Sequence, residues 1–203
     1  MNALRRKGRS AGEGEAELPR LAWPAHRDGQ NLIVSVVPSR VAGEASFRPV
    51  DVLPKADKHD RDGAAAAELV SSLTRAADAA GTIAIQGFAA RSPGGNVLTF
   101  TLAVSLADIP YPDAGELPEG DVSDCRLPYG PAVRIFRIAE PGTGEGAPPV
   151  PMFSTTYLAQ TDFGVLALAF ATPHVDGARE FAVLFESIAG SCAIQPAPSA
   201  TAT

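Results

Sequence analysis

The chain of 203 residues has few of the side chains on which most metal and redox sites depend. It contains two cysteines, three histidines and one tryptophan. Cys125 and Cys192 are too far apart for a C-x-x-C pair, which excludes a dithiol redox motif and a zinc knuckle. His26, His59 and His174 are too scattered to define a metal triad. The sequence therefore predicts neither a metal nor a cofactor.

Long apolar runs and familiar catalytic motifs are also missing. No stretch approaches the ~18 apolar residues of a membrane-spanning helix, and the polar residues that follow Arg5-Arg6 contain no apolar core of an export signal. The sequence has no phosphate loop, no G-x-S-x-G elbow, no H-E-x-x-H and no G-x-G-x-x-G that opens a helix. We therefore expect a cytoplasmic protein without a membrane span, and a binding protein rather than an enzyme.

Positive charge is scarce as well, because 17 Lys+Arg stand against 23 Asp+Glu, a formal net charge of −6. A general nucleic-acid binder needs clustered basic charge, so we expect no nucleic-acid partner. Hydrophobic residues make up 45% of the chain, but 36 of them are alanines, which add little to a core. The remaining apolar content is still that of a folded domain.

The pattern along the chain predicts one domain over residues 19–194, between a disordered leader (1–18) and a disordered tail (195–203). β-branched runs and apolar alternation predict several strands, the last two of which form a hairpin. These strands are Asn31–Val37, Thr82–Ala90, Asn96–Leu106, Ala132–Ile138, Met152–Gln160 and Val165–Ala171.

Two segments have helical spacing. Asp62 is placed to cap a helix from Ala64 to about Ala80, and Asp176 is placed to cap a final helix whose apolar face includes Phe181 and Phe185. Strands joined by hairpins, together with helices before and after them, predict an α+β fold. We expect a single antiparallel β-sheet with helices packed on it.

The C-terminal half resembles uncharacterised actinobacterial proteins of the Mog1/PsbP-like superfamily. The resemblance rests on Leu127-Pro128-Tyr129-Gly130-Pro131-Ala132-Val133-Arg134, on the hairpin sequence from Ser154 to Pro173, and on Leu184-Phe185-Glu186-Ser187-Ile188-Ala189. It implies an α/β/α sandwich and a binding role, since relatives in that superfamily are mostly binding modules, among them regulators, assembly subunits and chaperones. It carries over no catalytic residue.

A long connection from Ala107 to Gly130 is the first candidate site. It is rich in proline, and its segment from Asp113 to Asp124 carries five acidic residues, namely Asp113, Glu116, Glu119, Asp121 and Asp124. Such a loop attracts a basic surface. We therefore expect a non-catalytic, adaptor-like or chaperone-like module that binds a protein partner.

A pocket between the sheet and a helix is the alternative site, with Arg134, Tyr157 and His174 as its polar groups. This small-molecule binder or enzyme requires the three side chains to converge on one cavity. A third expectation is a homo-oligomer that assembles through an exposed sheet edge.

Overall fold

Antiparallel strands make up most of the structure. A computed structural model of the chain describes residues 20–37, 40–41, 45–50, 82–91, 97–107, 110–112, 117, 120–139 and 151–198. In chain order the elements are β1 (Leu21–Arg27), β2 (Gln30–Val36), β3 (Arg40–Val41), β4 (Ala45–Ser46), β5 (Arg48–Val50), β6 (Thr82–Arg91), β7 (Val97–Ala107), β8 (Asp121–Leu127), β9 (Gly130–Ala139), β10 (Met152–Thr161), β11 (Gly164–Thr172), a 3₁₀ turn (Val175–Gly177), α1 (Ala178–Gly190) and β12 (Ala193–Pro196).

The strands form two sheets and a short separate ladder. The larger sheet has seven strands in the order β5-β6-β7-β11-β10-β9-β8, and the smaller has three in the order β1-β2-β12. Every pairing is antiparallel, including the two-residue ladder of β3 with β4. The strands β8 and β5 are therefore the two edges of the larger sheet.

The α+β prediction of a single sheet with helices packed on it is wrong. The described residues are mostly β and contain one α-helix, α1, of 13 residues. The prediction missed the smaller sheet because Pro24 obscures the strand signal of β1, which pairs with β2 across the turn Asp28-Gly29. Both turn residues have positive φ, 47° and 76°, as a type I′ hairpin requires. The helix predicted from Ala64 to Ala80 lies outside the described residues.

Most of the predicted strands are confirmed, but the long connection from Ala107 to Gly130 is not. It contains the strand β8, which begins directly after Gly120. A Cβ at Gly120 would lie 2.6 Å from the backbone oxygen of Phe136, and its φ is 155°. Only glycine fits this close approach, so Gly120 lets β8 lie beside β9. The strand β12 includes Gln195 and Pro196, the first two residues of the segment expected as a tail.

The final helix is confirmed over most of its length, although its start differs. Asp176 lies in the 3₁₀ turn, and Gly177 occupies the cap position of α1, with no side-chain cap among the described residues. Phe181, Leu184 and Phe185 are buried, as the helical spacing predicts.

The core lies between α1 and one face of the larger sheet, which we call the inner face. Alternate residues of β7, among them Phe100, Leu102 and Val104, are buried on this face. The ring of Phe185 on α1 stacks on Phe170 with centroids 4.6 Å apart. The smaller sheet adds Leu32, Val34 and Val36 of β2 to the same cluster.

Candidate functional site

A half-open groove of about 410 Å³ lies between α1 and the strands β9 and β10. Its lining residues are Arg134, Phe136, Thr155, Ala178, Arg179 and Ala182. On the wall formed by α1, two of the lining residues, Ala178 and Ala182, follow one another after one helical turn and project only methyl groups. These small side chains leave room that larger residues would fill.

The register of β9 with β10 places the floor of the groove. Arg134 pairs with Tyr157, and Phe136 pairs with Thr155. Paired residues point to the same face, so all four side chains lie on the inner face. The centroid of the Phe136 ring is 4.9 Å from that of Phe153, which joins the floor to the core.

Two hydroxyl groups on the inner face are buried at or beside this groove. Thr155 and Tyr157 are each 1% exposed. Thr155 Oγ1 has no hydrogen-bond partner among the described residues, whereas the Tyr157 hydroxyl has the Arg134 side chain as a hydrogen-bonding neighbour. A buried polar group left unsatisfied costs about 1–3 kcal/mol. A polar group bound in the groove would remove this cost for the Thr155 hydroxyl.

The environment keeps the Tyr157 hydroxyl protonated. Burial raises the pKa of Tyr157 well above its ordinary value, and the negative charge of Glu186 raises it further. The nearby Arg134 guanidinium lowers this pKa and offsets part of the rise. Tyr157 therefore presents a neutral hydroxyl that can donate a hydrogen bond.

The Arg134 guanidinium forms one hydrogen bond to a neighbouring strand and one weak ion pair with α1. Its Nε donates a hydrogen bond to Ser123 Oγ at 3.2 Å. Its Nη1 lies 3.5 Å from Glu186 Oε2, where the Glu186 side chain is 63% exposed. A pair this exposed is worth about 0–1 kcal/mol, so another carboxylate can replace Glu186 at little cost.

His174 lies apart from this groove. The backbone N–H of Thr99 donates a hydrogen bond to His174 Nε2 at 3.0 Å. The imidazole stacks on Phe181 with centroids 5.9 Å apart. His174 thus joins the start of β7 to the start of α1. Of the three polar groups predicted for one pocket, Arg134 and Tyr157 come together and His174 does not.

The predicted acidic cluster is also divided. Asp113, Glu116 and Glu119 lie outside the described residues. Asp121 and Asp124 lie in the edge strand β8 rather than in a loop. They point to opposite faces of the sheet, since Asp121 pairs with Phe136 and Asp124 with Val133.

Sequence reasoning missed several groove residues, namely Phe136, Thr155, Ala178, Arg179 and Ala182, and it missed Glu186, the ion-pair partner of Arg134. One signal for the floor was available, because Thr155 is a hydroxyl residue in the buried positions of the alternating strand from Phe153 to Tyr157. The alanines carried no such signal, since the chain is rich in alanine throughout.

The two cysteines are free thiols in different surroundings. Cys192 is buried, and burial raises its pKa to about 11. Cys125 on β8 is partly exposed, and burial raises its pKa while the charge of Arg134 lowers it.

In the part of the chain that the structure describes, no three His, Cys, Asp or Glu side chains cluster as metal ligands would. No described helix has the length and apolarity for a bilayer crossing.

Comparison with known proteins adds no relative to this picture. No family model, no curated protein and no solved structure matches the chain. The resemblance to the Mog1/PsbP-like superfamily therefore stays a prediction from the sequence.

Proposed function

We propose that the chain is a non-catalytic binding protein whose groove takes a carboxylate carried on a short apolar group. The observation that carries this proposal is the Thr155 hydroxyl, which is buried without a described partner in the lining of the groove that also holds the Arg134 guanidinium. A ligand carboxylate would accept hydrogen bonds from these groups and so supply what the groove lacks.

The chemistry of the lining supports this class of ligand. A guanidinium binds a carboxylate through two parallel N–H donors, and Arg179 adds a second positive charge at the wall. Phe136, Ala178 and Ala182 offer apolar surface to the rest of the ligand. A volume of about 410 Å³ is within the ordinary range of small-molecule sites. Both a free carboxylic acid and the carboxyl end of a peptide have this chemistry.

Two further parts of the proposal rest on other residues. The His174 imidazole accepts a hydrogen bond from the Thr99 backbone, which supports a structural role for this residue rather than acid–base catalysis.

Cys125 and Cys192 are both free thiols, which supports a cytoplasmic location, where thiols stay reduced.

Calorimetric titration of the full chain tests the proposal. The probes are hexanoate and benzoate, with hexanol and benzyl alcohol as matched neutral ligands, and a short peptide with either a free or an amidated C-terminus. We expect saturable binding of the carboxylates at least tenfold tighter than of the matched alcohols. Tighter binding of the free peptide than of the small acids would identify a peptide as the source of the carboxylate. Equal binding of acids and alcohols, or no binding, would overturn the proposal.

Two arginines of β9 provide a matched pair of variants. Arg134→Gln removes the guanidinium on the inner face, and we expect it to weaken carboxylate binding at least tenfold. Arg137→Gln makes the same change at an exposed position that points to the other face. We expect it to leave the affinity unchanged. An equal effect of both substitutions would mean that net charge, not the groove, determines binding.

Removal of the competing carboxylate gives an effect of opposite sign. Glu186→Gln releases Arg134 from its exposed ion pair. A pair worth about 0–1 kcal/mol predicts carboxylate binding up to roughly fivefold tighter. Weaker binding in this variant would show that Glu186 helps to hold the ligand.

A protein-binding module remains a second candidate, supported by a different feature of the fold. The edge strand β8 has seven residues, including Asp121 and Asp124, and it contains no proline. A strand of this kind can pair with a strand from another chain.

A further inference from the structure

The free edge at β8 differs from the other described edges of the two sheets. The edge strands β1, β5 and β12 each contain a proline, at Pro24, Pro49 and Pro196. Proline lacks the N–H that a further strand would need, and it protects an edge from pairing. Of the four described edge strands of these two sheets, β8 alone contains no proline.

The register with β9 shows which backbone groups of β8 face outward. Arg126 pairs with Pro131, which has no N–H to donate, so this pair is not hydrogen-bonded. Hydrogen-bonded and non-hydrogen-bonded pairs alternate along an antiparallel ladder. The backbone N–H and C=O groups of Val122, Asp124 and Arg126 therefore point away from β9, toward the free edge.

We propose that a second copy of this chain pairs with β8 through its own β8, antiparallel and in the register that places Cys125 opposite the partner's Cys125. In this register Asp124 lies opposite the partner's Arg126, and Arg126 lies opposite the partner's Asp124. These are outward-facing, hydrogen-bonded pairs, which give roughly four backbone hydrogen bonds in all. The two larger sheets then form one continuous sheet.

Charge selects this register over its neighbours. Asp124 and Arg126 are both exposed and point to the same face of the sheet. A two-residue shift in one direction places Asp124 opposite the partner's Asp124, and the same shift in the other direction places Arg126 opposite the partner's Arg126. Like charges directly opposite one another are destabilising, whereas the proposed register forms two reciprocal ion pairs.

The ends of the proposed ladder cover apolar surface. Val122 is 48% exposed, which is unusual for a valine in a strand. In the proposed register it lies opposite the partner's Pro128, an exposed residue of the β8–β9 turn. The same contact repeats at the other end of the ladder, because the arrangement is two-fold symmetric.

Sedimentation equilibrium of the full chain over the range from 10 µM to 1 mM is the first test. An interface of one strand pair is small, so we expect monomers at the low end and dimers at the high end. A chain that stays monomeric up to 1 mM would overturn the proposal and leave the β8 edge to a different protein.

Exchange of the two charges tests the register. Asp124→Arg places two arginines opposite each other, and Arg126→Asp does the same with two aspartates. We expect each single variant to weaken dimerisation at least tenfold. The double variant Asp124→Arg/Arg126→Asp should restore the dimer, and the two single variants mixed together should form a heterodimer. Dimers that survive both single substitutions unchanged would place the interface elsewhere.

Two measurements separate an interface effect from other causes. Asp162→Arg makes the same change of charge in the exposed β10–β11 turn and should leave dimerisation unchanged. A short bis-maleimide should cross-link Cys125 to the partner's Cys125, since Cα atoms of a non-hydrogen-bonded pair lie ~4.5 Å apart. Cys125→Ser should abolish the cross-linked product. A wild-type dimer that gives no such product would contradict the register.

Discussion

The half of the larger sheet under α1 and the half beyond it are built differently. Under the helix, Phe100, Phe170 and Phe185 form a ring cluster with centroids 4.6–6.4 Å apart. Beyond it, the inner face carries Arg134 and a hydroxyl on Thr155 that is buried without a described partner.

This difference follows from the widths of the larger sheet and of the helix α1. Seven strands at about 4.8 Å spacing are wider than one helix about 10 Å across. Among the described elements, α1 covers the middle strands of the larger sheet, and β8, β9 and part of β10 extend beyond it. We interpret the covered half as the stabilising part of the fold and the half at the β8 edge as its binding part.

Truncation of the ring cluster should give the largest effect on stability. Phe185 is fully buried and its ring contacts those of Phe100, Phe153, Phe170 and Phe181. We expect Phe185→Ala to lower the free energy of unfolding by about 3–5 kcal/mol in urea titrations. Val183→Ala on the same helix, at a position 63% exposed, should change it by less than about 0.5 kcal/mol. Similar losses in both variants would mean that α1 is not the cover of this half.

A glycine substitution tests how β8 is held at the edge. Gly120→Ala brings a Cβ to 2.6 Å from the Phe136 backbone oxygen at a φ of 155°, so we expect a loss of about 1–3 kcal/mol and separation of β8 from β9. Hydrogen exchange of the β8 amides should show this separation. Gly190→Ala meets no described atom within 4 Å and should be neutral or slightly stabilising. Unchanged β8 exchange in Gly120→Ala would contradict the close approach.

Removal of the Thr155 hydroxyl should raise the stability of the protein and weaken its binding of carboxylates. Thr155→Val keeps the shape of the side chain and removes a buried polar group, so we expect stability to rise by about 1 kcal/mol. Carboxylate binding should weaken at least several-fold in the same variant. Thr156 is the next residue in the chain and points to the opposite face of the sheet, so Thr156→Val should leave carboxylate binding unchanged. A destabilised Thr155→Val would show that this hydroxyl is satisfied inside the protein.

The smallest expected effect is a difference in reactivity between the two thiols, Cys125 and Cys192. A pKa raised to about 11 leaves Cys192 with little reactive thiolate at pH 7, and its burial blocks access. Maleimide should therefore label Cys125 in the folded protein and both cysteines in urea, as mass spectrometry can count. Rapid labelling of Cys192 in the folded chain would show that the end of α1 opens.

Local patterns predicted individual strands well and predicted the architecture poorly. The alternation of Phe153, Thr155 and Tyr157 identified β10, and the short turn at Asp162 identified its hairpin with β11. The turn Asp28-Gly29 carried an equally strong hairpin signal, which Pro24 obscured. A fold with two sheets depends on pairings between distant segments, such as β12 with β2, and local periodicity does not encode these.

The groove was half predictable for a similar reason. Arg134 and Tyr157 were expected as polar groups of one pocket between sheet and helix, and the register of β9 with β10 is what brings them together. His174 stood beside a helix start in the sequence, yet it bonds to Thr99, 75 residues away along the chain. Contacts of this range follow from the order of strands in the sheet rather than from local spacing.

Titration of the ¹⁵N-labelled chain with hexanoate, followed by amide chemical shifts, tests the central claim most directly. The account predicts saturable shifts at Arg134, Phe136, Thr155 and along the first turns of α1, and none of comparable size at the β1–β2–β12 sheet. Shifts centred on the smaller sheet, or shifts of equal size with hexanol, would contradict the assignment of the half beyond α1 as the binding part of the protein.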